Sequence, residues 1–223
     1  MNHINNDIGA LYLRGKSAEK IDKIQTDLKN RFSTLDFEYL WLPSLSSKQY
    51  FHPQNIESSH RNGYLVHAAC LSFFDQEQSF SDGRFFGINR VHRLEPLRTP
   101  YSETRLECFN VFEIILTGDD KFLSKEYDFV KEAVKGFIED YLKIKCEWRI
   151  ADDSFIDSDQ KKEELIFNKE GKKFSIASGN VHGDFFTKRK DNFFMLFWNW
   201  YRKIIFGRRN SGERKTWTEE IKH

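Results

Sequence analysis

Residues 93–113 read RLEPLRTPYSETRLECFNVFE, and this stretch decides the fold. Its second half has the alternation of a strand, with large apolar side chains on both faces, such as Phe109 on one and Phe112 on the other. A strand that is apolar on both faces is expected in the interior of a sheet. The stretch before it is polar and contains two prolines, so we predict that strands at 84–93 and 105–117 form a long antiparallel hairpin.

Helices and further strands are predicted on both sides of this hairpin. An amphipathic pattern predicts a helix that is capped by Ser17 and ends near Arg31, and the apolar run 37–42 predicts a strand that stops at Pro43. A second helix is predicted at 120–142. Three more strands are predicted at 146–150, 164–168 and 172–177. This order of elements predicts an α+β fold, in which helices flank an antiparallel sheet.

Composition and charge exclude several classes of protein. The chain has 223 residues and a mass of 26.6 kDa, and 39% of the residues are hydrophobic, which is enough to build a core. The 35 Lys and Arg residues against 34 Asp and Glu leave a net charge of +1, so there is no bulk positive field to hold a polyanion. The three cysteines are widely separated, no signal peptide is recognisable, and the longest apolar run is shorter than the ~20 residues of a membrane span. We therefore expect a cytoplasmic protein that does not enter the membrane.

The charged residues of the hairpin form a candidate nucleotide site. Arg93 and Glu95 are two residues apart and therefore lie on one face of the first strand. Arg105, Phe109 and Glu113 recur every four residues and lie on one face of the second strand. Guanidinium groups can hold phosphate oxygens, the ring can cover a purine, and a carboxylate can accept from an amine. The alternative is an ordinary lattice of cross-strand ion pairs.

The strings RLE and RLECFNVFE, at the two ends of this stretch, resemble motif 2 of the class II aminoacyl-tRNA synthetases. The resemblance is closest to the seryl group and its truncated relatives, the amino acid:carrier protein ligases. It implies a class II synthetase-like catalytic core in which Arg93 holds the α-phosphate of ATP and Glu95 contacts the adenine amine. It also implies that Phe109 stacks on adenine and that Arg105 reaches the outer phosphates. Arg93, Glu95 and Arg105 would then be the catalytic residues.

The same ligases bind a zinc ion through Cys, Glu and Cys, and the metal takes the amine of the substrate. The string LVHAAC, residues 65–70, resembles the strand that carries the first ligand, which implies Cys70 as a metal ligand. Glu113 matches the second ligand. Taken alone, a cysteine after two alanines is more often a small apolar residue of the core.

Two later strings extend the resemblance. ADDSF, residues 151–155, is similar to a segment of these ligases, and IASGNVHGDFF, residues 176–186, is similar to a strand near their C-terminal end. The second string implies that Asn180 and His182 contact the substrate. In the synthetases an acid that binds Mg²⁺ usually precedes this strand, and here its position falls on Ser175.

Motif 3, a Gly-x-Gly-x-x-Arg pattern, and a further zinc cysteine do not follow in this sequence, which makes the core C-terminally incomplete. A shift of one base at Met195 would supply them. Read one base later, Met195 before any leucine codon encodes Cys, while Trp198 before asparagine and Trp200 before tyrosine each encode Gly. We interpret residues 193–223 as an out-of-frame, non-native tail that protrudes or lies loosely over the sheet edge, and residues 1–192 as the catalytic domain. The alternative is a native amphipathic helix that closes the core.

The resemblance implies an ATP-dependent ligase that activates a small amino acid as its aminoacyl-adenylate. The product would pass to the phosphopantetheine thiol of an acyl or peptidyl carrier protein, with ATP, Mg²⁺ and Zn²⁺ as cofactors, and the intact members are expected to be homodimers. Loss of motif 3 would impair this chain. The alternative is a non-catalytic remnant or regulatory binding subunit. A seryl-tRNA synthetase is disfavoured, because the sequence has no long N-terminal coiled coil and no basic surplus to hold tRNA.

Overall fold

Strands from both halves of the chain build one large sheet. The computed structural model describes residues 3–5, 9–47, 63–76, 81–93, 106–151, 161–169 and 171–183, and the backbone alone of residues 192–198. The helices are α1 (Lys16–Ser33), α2 (Cys70–Gln76) and α3 (Asp120–Leu142). The strands are β1 (His3–Asn5), β2 (Ala10–Tyr12), β3 (Glu38–Leu40), β4 (Leu45–Ser46), β5 (Tyr64–Leu65), β6 (Gly83–His92), β7 (Cys108–Gly118), β8 (Cys146–Ile150), β9 (Lys161–Lys169), β10 (Lys172–Gly183) and β11 (Asn192–Trp198).

The predicted hairpin is the centre of the main sheet. β6 and β7 pair antiparallel from Gly83 opposite Thr117 to His92 opposite Cys108. On its other side β7 pairs with β11, and the sheet continues through β10 and β9 to β8. β3 pairs parallel with β6, while β2 joins the start of β7. The α+β class and the long hairpin are therefore confirmed.

Helices α1 and α3 cover one face of the sheet. The ring of Phe32 in α1 lies 6.1 Å from that of Phe86 and 5.1 Å from that of Phe112, measured between centroids. Val130 and Val134 of α3 are buried in the same cluster. Apolar residues at three- and four-residue spacing give both helices the buried stripe from which they are predicted.

Single residues fix the ends of these helices. Asp119 caps α3, because its carboxylate accepts a 2.7 Å hydrogen bond from the backbone N–H of Phe122. Lys143 ends α3 in the left-handed conformation, with φ at 57°. The prediction that Ser17 caps α1 is wrong, since the helix already includes Ser17 and is preceded by Gly15, whose φ of 58° suits a residue without a Cβ atom.

The opposite face of the sheet carries the candidate site. Helix α2 and the turn before it, residues 66–69, pack there against Phe109, Val111 and Ile115 of β7. Both faces of β7 are thus covered, as its alternation predicts. The prediction that Cys70 lies on a strand is wrong, because β5 ends at Leu65 and Cys70 is the first residue of α2.

β11 corrects the expectation for residues 195–198. Its backbone pairs with β7 from Asn192 opposite Gly118 to Trp198 opposite Phe112, and its other edge pairs with β10. The start of the predicted tail is therefore an interior strand, neither a helix nor a segment lying loosely over the sheet edge. Physically, the unbroken apolar run FFMLFW, residues 193–198, suits a strand between two neighbours better than an amphipathic helix.

No helix among the described residues is long and apolar enough to span a bilayer.

Candidate functional site

Arg93 and Phe109 meet at the end of the hairpin where the chain connects its two strands. Val91 pairs with Phe109, and one step further the backbone N–H of Arg93 donates to the carbonyl of Glu107 at 2.7 Å. The guanidinium carbon of Arg93 lies 5.2 Å from the centroid of the Phe109 ring, within the range of a cation–π contact. Its Nε donates to the carbonyl oxygen of His67 at 3.0 Å. The prediction that Arg93 and Phe109 share one face of the sheet is confirmed.

Glu113 lies on the same face, four residues further along β7, and is fully buried. One carboxylate oxygen accepts from the backbone N–H of Ala69 at 2.6 Å, and the other accepts from that of Cys70 at 2.9 Å. The thiol of Cys70 lies close enough to this carboxylate for each group to shift the pKa of the other. The structure thus brings Cys70 and Glu113 together, as the sequence predicts.

Burial controls the ionisation of this pair. Loss of solvent raises the pKa of Glu113 to about 7, against the opposing effect of its hydrogen bonds with Cys70 and Ala69 and of the positive charge of Arg93. Burial also raises the pKa of the Cys70 thiol well above its usual range, and the nearby Glu113 raises it further. Cys70 is therefore a neutral thiol at physiological pH in the metal-free protein, which makes it a poor nucleophile.

The described residues do not fit a zinc ion. A closed zinc site needs four ligands, usually Cys or His with Asp or Glu. Both oxygens of Glu113 are already hydrogen-bonded, and no group of three His, Cys, Asp or Glu side chains that could hold a metal occurs in the described part of the chain. Ser175 on β10 likewise offers no carboxylate for Mg²⁺. No chemical step is therefore assigned to either metal.

Asn180 and His182 lie on β10 and are both buried. Asn180 is opposite position 195 of β11, which in turn is opposite Ile115 of β7. Residues that are partners in register lie on the same face, so Asn180 lies on the sheet face of Ile115 and Glu113. Two strand spacings, about 10 Å, separate its strand from β7. Neither amide atom of Asn180 has a hydrogen-bond partner among the residues that the structure describes.

Several predicted positions lie outside the described residues. These are Glu95 and Arg105, the strings at 152–155 and 184–186, and the tail beyond residue 198. The sequence also gave no signal for His67, whose contribution is a backbone carbonyl that accepts from Arg93. A main-chain contact between residues so far apart leaves no pattern of side chains to read.

Two solved structures are similar to this chain over 92% of its length, and both are of prolyl-tRNA synthetase from Cryptosporidium parvum. One, complexed with halofuginone and AMPPNP, superposes with a TM-score of 0.75 at 13% sequence identity. The other, complexed with L-proline and AMP, gives 0.76 at 12%. The chain covers 48% and 49% of those two chains, about half their length. No protein-family model and no curated protein matches the sequence.

At this identity the likeness shows the fold. The arrangement of the sheet and its flanking helices is similar to that of these synthetases, in agreement with the class II synthetase-like core that the motif 2 resemblance implies.

Proposed function

We propose that this chain is an adenylate-forming ligase of the class II synthetase type, impaired as it stands, which binds ATP on the sheet face of Arg93, Phe109 and Glu113. The observation that carries the proposal is the guanidinium of Arg93, held 5.2 Å from the centroid of the Phe109 ring. The solved structures with the same fold are complexed with AMPPNP and with AMP. A purine nucleotide is long enough to contact the ring with its base and the guanidinium with its α-phosphate.

In the proposed reaction the carboxylate of an amino acid attacks the α-phosphorus of ATP, and pyrophosphate leaves. Negative charge grows on the α-phosphate oxygens, and Arg93 neutralises it. Its bonds to His67 and Glu107 hold the residue before the substrate arrives, so little reorganisation accompanies the reaction. Glu95 and Arg105 complete the proposed ATP site, with contacts to the adenine amine and the outer phosphates.

The amino acid and its acceptor are finer parts of the same proposal. The buried amide of Asn180 has no hydrogen-bond partner among the described residues, and this suits contact with a polar group of the amino acid. His182, two residues along the strand, is the second proposed contact. The acceptor would be the thiol of a carrier protein, which attacks the carbonyl carbon of the adenylate and releases AMP. The support for this acceptor is the resemblance of the sequence to the carrier protein ligases.

A non-catalytic remnant that only binds nucleotide is the second candidate. Two observations favour it: position 175 carries serine where the synthetases usually have an acid, and the sequence contains no motif 3 arginine. The two candidates share the ATP site and differ in whether pyrophosphate is released.

Calorimetric titration with ATP tests the proposed site. We expect Arg93→Ala to weaken binding about 10- to 100-fold, since it removes a hydrogen-bonding charge from the phosphate. Arg90→Ala is the matched control, because Arg90 lies on the same strand but is exposed, and its Nε donates to Asn110. Equal effects of the two substitutions, or no ATP binding by the parent chain, would reject the site. Pyrophosphate exchange dependent on an amino acid then separates the ligase from the remnant.

A further inference from the structure

Residues 66–70, here called the connecting segment, are held from several sides by the main chain and by side chains. The carbonyl of Val66 accepts from the backbone N–H of His92 at 2.9 Å. The next carbonyl, that of His67, accepts from Nε of Arg93. At its other end the segment donates the N–H groups of Ala69 and Cys70 to the two oxygens of Glu113. The segment therefore bridges Glu113 and Arg93.

Glu113 occupies a costly position for an acid. Its side chain is fully buried, and a buried carboxylate is tolerated only when hydrogen bonds replace its water. The two backbone N–H groups supply that replacement, at 2.6 and 2.9 Å. Both oxygens are used on the connecting segment, so the contacts of Glu113 are internal to the protein. This differs from the metal-binding role that the sequence resemblance implies.

We propose that Glu113 is a positioning residue, which holds the connecting segment so that the carbonyl of His67 fixes Arg93 beside Phe109. The coupling needs no metal and no ligand, because each contact in it joins two parts of this chain. Its catalytic meaning rests on the proposed function, since it matters for ATP only if Arg93 binds phosphate. The coupling itself can be measured without nucleotide.

The test follows the exchange of the Arg93 Nε–H with solvent by ¹⁵N NMR, with no ATP present. The signal is assigned by its loss in Arg93→Lys. In Glu113→Gln one backbone N–H loses its acceptor oxygen, and we expect the Arg93 Nε–H to exchange about 10-fold faster. Glu113→Asp keeps the carboxylate and should recover part of the protection.

Glu126→Gln is the matched control. Glu126 is also a buried acid, but it lies on α3 and pairs with Arg84 at 2.6 Å on the other face of the sheet. We expect it to lower stability while leaving the exchange of Arg93, relative to global unfolding, unchanged. ATP binding, measured by titration, should be weaker in Glu113→Gln and unchanged in Glu126→Gln.

Unchanged protection of Arg93 in Glu113→Gln, or equal loss in both variants, overturns the proposal. If Glu113→Gln does not fold, the same exchange measurement on the parent protein tests the proposal. There the Arg93 Nε–H and the amides of Ala69 and Cys70 should exchange with the same opening free energy, and exchange of Arg93 many times faster than these amides also overturns it. If the coupling is found but ATP does not bind, the proposed function fails and the positioning role stands.

Discussion

The hydrogen bonding of the buried Asn180 amide distinguishes a role in substrate binding from a role in the fold. A buried amide in a structural role has partners, and removing them costs about 1–3 kcal/mol. Both amide atoms of Asn180 are instead without a hydrogen-bond partner among the described residues. A polar group of the substrate could donate to or accept from this amide.

We expect Asn180→Leu, which is close in size, to leave the free energy of unfolding unchanged or to raise it by about 1 kcal/mol. The same substitution should weaken binding of the amino acid substrate of the proposed ligase. Denaturant unfolding measures the first effect, and titration of amino acids in the presence of ATP measures the second. A loss of stability of 2 kcal/mol or more, on the order expected for a broken buried network, would assign Asn180 to the fold instead of the site.

Among the elements, α3 and β9 meet through a charged cluster around Glu163. Its carboxylate accepts from the hydroxyl of Tyr127 at 2.7 Å and from Lys131 at 2.8 Å, and Lys161 lies 3.0 Å away. Burial alone would raise the pKa of Glu163, but these hydrogen bonds outweigh it and lower the pKa below its usual value.

Because the pKa of Glu163 is lowered in the folded protein, the stability that it gives to the contact between α3 and β9 depends on pH. The folded protein holds Glu163 ionised more readily than the unfolded chain, so the stabilisation is complete above the ordinary pKa of 4.5 and is lost as pH falls through the lower folded value. We expect Glu163→Gln to be less stable than the parent at pH 7, with a difference that shrinks below pH 4.5. Glu164→Gln, one residue along, is the control, and denaturant unfolding across pH is the measurement. A difference that does not vary with pH would contradict the assignment.

Elements with one strong local signal are predictable from this sequence. β8 has the predicted bounds, Cys146–Ile150, and α3 the predicted span, because alternation and a capped apolar stripe are local properties. For β10 the residue pattern predicts a strand only to residue 177, whereas the resemblance of residues 176–186 to a strand extends it. The strand ends at Gly183. Its last part contains two glycines and an asparagine, which disfavour strands, and pairing with β9 and β11 overrides that preference.

The candidate site also has some features that the sequence predicts and others that it does not. That Arg93 and Phe109 lie on the same sheet face follows from period-two alternation and the hairpin register, and both can be read from the sequence. The hydrogen bonds of Glu113 were not readable, since its partners are backbone groups of a turn more than forty positions away. Tertiary contacts of this kind depend on the assembled sheet.

At the scale of the whole molecule, β11 bears on the proposed frameshift. Position 195, where the shifted frame encodes Cys, is opposite Ile115, and position 197 is opposite Glu113. A cysteine encoded at position 195 would thus lie on the same sheet face as Glu113, two residues along β11 from the position that is opposite Glu113.

Correcting the frame by one base should therefore restore the chain as a whole. We expect the 223-residue chain to show amino-acid-dependent pyrophosphate exchange about 10²–10³-fold below that of the corrected chain, because one charge clamp is missing. Soluble yield should rise together with activity. The control is a synonymous change at the neighbouring codon of Leu196. Robust exchange by the uncorrected chain would show that residues 193–223 are native.

The central claim is that the sheet face of Arg93 and Phe109 binds ATP, and a crystal structure of the chain with AMPPNP tests it most directly. We expect adenine in contact with the ring of Phe109 and the α-phosphate within hydrogen-bonding distance of the guanidinium of Arg93, with the carbonyl of His67 still accepting from its Nε. A nucleotide bound elsewhere, or on this face with no phosphate contact to Arg93, would contradict it.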